Sequence, residues 1–247
     1  MPLEQPQSIR TVFFDAGFTL VRPFPSEAEV CQQVCQQLGL HIQLDAIKQR
    51  MKEGADYYFR QIRQNRHTWA SEQTITMFWI DYYMNLLRPL VEEHDEPRLY
   101  QLAQAIAQEF DKHSRWELYP DVLETVLALH QRGYTLGVIS DWGIALAAIL
   151  RHLRLIKYFE CLVVSAATRY AKPSPQLYEL ALQRTNSIPD YALHIGDSYI
   201  FDVLGARAVG ITPVLLDRER RLEPSNVDCE LVHSLYELLD LLEIPRL

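Results

Sequence analysis

Five residues in four widely separated stretches of this chain could carry chemistry: Asp15 in FFDAGFTL, Ser140 in GVISDWG, Lys172 in YAKPSPQLY, and Asp197 with Asp202 in HIGDSYIFDVLGARAVG. A carboxylate that ends an apolar run, followed by small residues and Thr19, can point into a ligand crevice; taken alone it reads rather as a loop Asp capping a turn. The Ser140 hydroxyl and the backbone amides after it can donate to an anion at a helix N-terminus; alternatively Ser140 or Asp141 simply caps a helix beginning near Gly143. Lys172 sits on stiff backbone before Pro173, Ser174 and Pro175. It can hold a fixed positive charge against a phosphate and nearby carboxylates, or be a solvated loop lysine. Asp197 and Asp202 lie about one helical turn apart, where two carboxylates raise each other's pKa unless a cation compensates. Oxygen ligands so spaced suit Mg²⁺, which takes one or two carboxylates plus phosphate and water. The structural alternative is an N-cap plus a surface Asp. Gly196 permits close backbone approach.

Each signal ends a short apolar run or directly follows a predicted strand. The runs are Thr11–Asp15, Thr135–Ser140, Cys161–Ser165, Ala192–Gly196 and Pro213–Leu216, with a weaker one at Glu230–Val232. They are continuous rather than alternating, which predicts strands covered on both faces, as in a parallel sheet. Helical patterns lie between them, at about 121–132, 143–153, 175–185, 199–209 and 234–243. Ser174 followed by Pro175 reads as an N-cap with Pro at the first helical position, and Gly133 as a helix stop. This alternation predicts an α/β fold with a Rossmann-like, doubly wound parallel sheet. The stretch from about 21 to 116 is different: rich in Gln, Glu, Arg and Tyr, with no convincing strand. Apolar residues recur there at helical spacing, as in Val30, Val34, Leu38 and in Ile75, Phe78, Ile80, Tyr83, Leu87, which predicts about four helices. Residues 1–20 and 117–247 would form the core and 21–116 an all-helical insert. An insert at a strand's C-terminal end sits over the edge where open α/β sheets bind ligands.

Composition limits the partners. Apolar residues are 48 % and charged residues 23 % of 247, which excludes a disordered chain. Lys plus Arg is 24 and Asp plus Glu 32, so the net charge is 24 − 32 = −8. Without a basic run there is no electrostatic footprint of a nucleic-acid binder or of a membrane-surface protein. No apolar run approaches the roughly 18 residues that span a bilayer, and MPLEQPQSIR carries no secretory signal. Cys31, Cys35, Cys161 and Cys229 form no CxxC pair and read as buried or partly buried thiols of a reducing cytosol. The expectation is a cytoplasmic monomer or homodimer acting on a small molecule, with neither nucleic acid nor membrane as partner.

The motifs, in this order, resemble those of the haloacid dehalogenase superfamily: an Asp nucleophile, a Ser/Thr, a Lys, and a Gly-Asp-x-x-x-x-Asp. GDSYIFD and KPSPQLY are the most specific, and the insert after the first strand is similar to the family's helical cap. The resemblance implies a Mg²⁺-dependent phosphatase in which Asp15 attacks phosphorus to give an aspartyl-phosphate. It implies Asp15, Asp197 and the carbonyl of Gly17 as metal ligands, with Asp202 binding the metal or orienting its waters. It implies Ser140 and Lys172 holding the phosphoryl oxygens, Asp141 at the substrate, and Thr19 supporting the first loop.

The chain departs from the family pattern at Gly17. Family phosphatases usually carry there a second Asp that protonates the leaving group and activates water. Losing a general acid/base costs about 10²–10⁴-fold. Three consequences are open. Turnover can be slow, with water, Asp141 or a cap residue substituting. The chemistry can differ, as in phosphonate-cleaving members that use a cap lysine; here the insert offers Lys48, Lys52 and Lys112, none in a recognisable context. Or the chain can be an impaired, non-catalytic binding protein. A dehalogenase is the weaker expectation, because that branch does not need Asp197. A second departure is Phe201, where many relatives carry a polar residue. Substrate choice should lie in the insert, for which Tyr57, Tyr58, Arg60, Arg63, Arg66 and Trp69 are candidates; a solvated amphipathic helix is the alternative.

Overall fold

A computed structural model of the chain describes residues 5–64, 68–91 and 95–246, with backbone alone for 55–64. Six apolar segments form strands of one sheet: β1 (Thr11–Phe14), β4 (Thr135–Ser140), β5 (Cys161–Val164), β6 (Ala192–Gly196), β7 (Thr212–Leu216) and β8 (Glu230–Val232). All pair in parallel, in the order β5-β4-β1-β6-β7-β8. Successive residues of β1 serve opposite faces, which is why its run is unbroken. Phe14 packs with Val138, Ile195 and Leu238, whereas Phe13 packs with Ile139, Leu177 and Tyr178. Burial of both faces is the sequence signature of a covered parallel strand.

The helices connecting these strands are α5 (Val122–Gln131), α6 (Leu146–His152), the short α7 (Ser165–Thr168), α8 (Pro175–Thr185) and α9 (Leu204–Arg207), with α10 (Leu235–Leu241) after the last strand. Gly133, with φ 77°, follows the end of α5 and provides the left-handed residue expected of a helix stop. Ser174 precedes α8 as expected, but its hydroxyl bonds Gln176 rather than a backbone amide. The predicted 199–209 helix opens instead as a π-helical turn, Tyr199–Val203, in which Ser198 Oγ accepts from Phe201 N–H at 3.3 Å.

Between β1 and α5, helices α1 (Glu27–Gln37), α2 (Leu44–Gln64), α3 (Glu72–Leu87) and α4 (Glu96–Glu109) pack around Val30, Val34, Ile80, Tyr83, Leu87, Leu102 and Ile106. Ser71 caps α3 by accepting from Thr74 N–H at 3.2 Å, and Asp95 caps α4 by accepting from Arg98 N–H at 3.1 Å. One expectation is corrected here: residues 21–116 are not free of strand. β2 (Val21–Pro23) pairs antiparallel with β3 (Trp116–Leu118), Arg22 bonding Glu117 at 2.8 Å. Three-residue strands are too short to show a period of two, and their partners are almost a hundred positions apart, so no local pattern marks them.

The chain runs from β1 outward through β4 to β5, then returns to β6 on β1's other side. β1 is therefore the switch point, and a crevice opens at the carboxyl ends of β4, β1 and β6. Among the described residues no helix is long and apolar enough to cross a membrane. All four cysteines are free thiols.

Candidate active site

The register of β1 places Phe14 level with Val138 and Ile195, so Asp15, Ser140 and Gly196 end their strands side by side. Asp15 N–H continues the ladder onto Ile195 O at 2.9 Å. Ser140 Oγ donates to Asp15 Oδ1 at 3.1 Å. Lys172 reaches in from the segment before α8, and its Nζ donates to Asp15 Oδ1 at 2.7 Å and to Asp202 Oδ1 at 2.5 Å. Lys172 is only 4 % exposed, so these are desolvated, charge-assisted bonds. Among the described residues no donor meets Asp15 Oδ2, which leaves that oxygen for a ligand.

Asp202 is fully engaged. Its Oδ1 also meets His194 Nε2 at 2.9 Å, and its Oδ2 accepts from Ser198 N–H at 3.0 Å. A Cβ on Gly196 would lie 2.2 Å from the Asp202 carboxyl carbon, so only glycine lets that carboxylate sit against the strand end. Asp202 thus acts as counter-charge and anchor for Lys172. Asp197, directly after β6, is exposed at the mouth of the crevice. Thr19 is fully buried; among the described residues its hydroxyl has no partner, while its carbonyl accepts from Arg218 Nη2 at 2.7 Å. Phe18, half exposed at φ 55°, and the Gly17–Val21 bridge close this loop into a tight turn. A left-handed aromatic costs about 1–2 kcal/mol, so surrounding bonds hold it.

The electrostatics follow from burial. Desolvation raises the carboxyl of Asp15, with Lys172 opposing and Asp202 adding to the rise. Desolvation in the crevice, then the charges of Asp15 and Asp202, push Asp197 well above the carboxylate range. Asp202 goes the other way: desolvation would raise it, but Lys172 and His194 hold it well below normal. Burial lowers the pKa of His194, with its bond to Asp202 opposing. Lys172 resists desolvation because Asp15 and Asp202 raise it. One ammonium serving several carboxylates leaves an excess of negative charge, the setting a divalent cation relieves.

Asp141 accepts from Lys172 N–H at 2.9 Å, and burial pushes its carboxyl up to about 7 from 3.8. Across that window the folded chain keeps a proton the unfolded chain releases, so stability falls as pH rises from about 4 to about 7. Asp141→Asn keeps the acceptor and removes the titration. Its thermal midpoint is expected several degrees above wild type near neutral pH, the two converging near pH 4; a gap independent of pH would contradict the burial origin.

Sequence reasoning missed four residues. His194 was visible only as a lone histidine in an apolar strand. Tyr178, fully buried, donates to Phe201 O at 2.7 Å and packs edge-on to His194; the Phe201 ring itself packs against the cluster of Trp69, Ile75, Phe78 and Ala171. Arg218 grips Asp121 with two bonds of 2.9 and 3.0 Å, lies 3.9 Å from the Tyr119 ring centroid, and holds Thr19 O. Trp142 stands over Gly17. Of the insert's candidate cluster, Trp69 is buried with Phe78, Ile75 and Ala171, the residue before Lys172. The side chains of Tyr57, Tyr58, Arg60 and Arg63, and all of Arg66, lie outside the described residues. Glu72, at the start of α3, bonds Ile144 N–H at 2.5 Å and so ties the insert to the loop after β4.

A crevice at the switch point of a doubly wound sheet, with a buried lysine joining two aspartates, is the ligand site of an α/β enzyme fold. The chain belongs to the haloacid dehalogenase-like hydrolases, whose family model matches residues 9–210. It is 26 % identical over 216 residues to haloacid dehalogenase-like hydrolase domain-containing protein 3 of Homo sapiens, covering 87 % of this chain and 85 % of that one. It is 25 % identical over 242 residues to the glyceraldehyde 3-phosphate phosphatase of Methanothermobacter thermautotrophicus, covering 95 % and 100 %. Among solved structures, the HAD-hydrolase YfnB of Bacillus subtilis superposes with a TM-score of 0.75 at 19 % identity, covering 96 % and 99 %.

Proposed function

We propose that this chain is a cytosolic, Mg²⁺-dependent phosphatase of a small phosphorylated metabolite, working through an aspartyl-phosphate on Asp15. Residues 1–20 and 117–247 form its catalytic unit and 21–116 its cap. The observation that carries the reading is Lys172 Nζ bonding both Asp15 and Asp202 while Ser140 bonds Asp15. The names of relatives agree with it: besides the glyceraldehyde 3-phosphate phosphatase, a phosphoglycolate phosphatase of Salmonella typhi is 28 % identical over 216 residues.

Among the described residues no three His, Cys, Asp or Glu side chains already form a metal site. The donor set nevertheless fits Mg²⁺, which takes one or two carboxylates and fills its remaining positions with water and phosphate. Asp15 and Asp197, with the carbonyl of Gly17, would hold it. When bound, the ion neutralises charge on the transferring phosphoryl group. Lys172 and Ser140 bind the phosphoryl oxygens and orient phosphorus toward Asp15, while Asp202, His194 and Ser198 hold Lys172 in place. Positioning and charge neutralisation are most of what phosphoryl transfer requires.

Gly17 supports a second reading, an impaired enzyme that retains anion binding. The phosphonate-cleaving alternative finds less support, since Lys48 and Lys52 are exposed on α2 and Lys112 pairs with Glu109 at 2.5 Å. Phosphate release from a panel of phosphorylated metabolites, with Mg²⁺ and then with EDTA, decides between them. Release that needs Mg²⁺ and Asp15 supports the phosphatase; anion binding without release from any donor supports the second reading.

A further inference from the structure

Gly17 leaves a gap in function but not in space. A Cβ placed on it would lie 3.1 Å from Trp142 Cζ3 and 3.8 Å from Cε3. The edge of the indole crowds the position that a Cβ of residue 17 would take. It is braced: Trp116 meets it edge-on at 4.6 Å, Trp142 N–H donates to Ser165 Oγ at 3.1 Å, and Ala166 N–H donates to Trp142 O at 3.3 Å. Beside the nucleophile there is thus an aromatic wall with no transferable proton.

Apart from Asp141, the other described titratable groups at the strand ends are already committed. Both Asp202 oxygens are bonded, Lys172 is spent on two carboxylates, and His194 lies fully buried behind Asp202. The Tyr178 hydroxyl is committed to Phe201 O, whereas Asp141 accepts from Lys172 N–H through Oδ1 alone, so its second oxygen is the one proton source to be tested. Asp197 is the carboxylate the cation would take.

We propose that the site serves phosphoryl donors whose leaving group departs as a stabilised anion, such as the carboxylate of an acyl phosphate or an enolate or phenolate, and turns over alkyl phosphate monoesters poorly. This rests on the phosphatase reading. An Asp15 oxygen bonds to phosphorus as the bond from phosphorus to the leaving oxygen breaks, the electron pair leaving with that oxygen. Water then attacks phosphorus and the Asp15–phosphorus bond breaks, restoring the carboxylate; the water's proton passes to phosphate or solvent. Only the first departure differs between donors. A carboxylate has a conjugate acid near pKa 4 and a phenolate near 10, whereas an alkoxide resembles hydroxide, near 15.7, and needs a proton as it leaves.

The test is kcat/KM, with Mg²⁺, for acetyl phosphate, a series of substituted phenyl phosphates and glycerol phosphate, in wild type, Asp141→Asn and the double variant Gly17→Asp/Trp142→Ala. Wild type is expected to fall steeply with leaving-group pKa. The double variant, which restores a carboxyl and its space, is expected to narrow the acyl-to-alkyl ratio by about 10²-fold. Asp141→Asn is read by its slope alone: whatever its kcat/KM, the dependence on leaving-group pKa is expected to match wild type. Equal efficiency on all donors in wild type overturns this inference alone. A slope that steepens in Asp141→Asn also overturns it, because Asp141 then supplies the proton. No phosphate from any donor overturns the phosphatase reading with it.

Discussion

Replacing Asp15 with Asn is expected to lower turnover by about 10⁴-fold or more, the scale of losing a nucleophile from residues that act as a unit, without weakening the fold. An amide oxygen keeps the shape of the group but cannot attack phosphorus and be regenerated as a carboxylate. The fold should tolerate the change because burial already disfavours the ionised form of Asp15. A group raised in the folded state subtracts stability once pH exceeds its unfolded value, so the Asn variant's thermal midpoint should be no lower than wild type near neutral pH. Phosphate release and thermal melts measured on the same preparation separate the two effects. Retained turnover, or loss of turnover accompanied by unfolding, would contradict the assignment.

Lys172→Met is expected to be the most destabilising change in the site. Lys172 and Asp202 are each 2 % exposed at the side chain and 2.5 Å apart. Removing one partner of a buried pair costs about 3–5 kcal/mol, because the remaining charge is uncompensated. The pH dependence has a definite sign. Asp202 has a lowered pKa, so its contribution is present above its unfolded value near 4 and is lost as pH falls further. Lys172 has a raised pKa, so its contribution is complete below about 10.5. The difference between wild type and Lys172→Met should therefore be widest between about pH 5 and 10 and shrink in acid. Denaturant melts across that range check it, and a constant difference would show that packing rather than charge is lost.

The sheet was legible because each strand buries both faces and so writes an unbroken apolar run. The meeting of Asp15, Ser140 and Gly196 followed, since ends of adjacent parallel strands must meet, whereas Lys172 and Asp202 come in from the segments that follow β5 and β6. What stayed hidden depends on contacts between distant residues. Nothing near Trp142 reveals that its ring fills the space beside Gly17, and nothing near Arg218 reveals that it clamps Asp121 and Thr19. β2 and β3 are recognisable only once paired. Asp202 illustrates the limit within a motif: spacing marks it as functional, but only the bonds from Lys172, His194 and Ser198 show that its oxygens are already occupied.

The most direct measurement is to trap the covalent intermediate. With a group at position 17 that cannot activate water, the aspartyl-phosphate should persist longer than one turnover of an ordinary phosphatase. Wild-type protein incubated with Mg²⁺ and acetyl phosphate, quenched in acid and mapped by peptide mass spectrometry, is expected to carry one phosphoryl group on the peptide containing Asp15, labile to hydroxylamine and absent from Asp15→Asn. Phosphate released without any such label, or a label on another residue, would contradict the account.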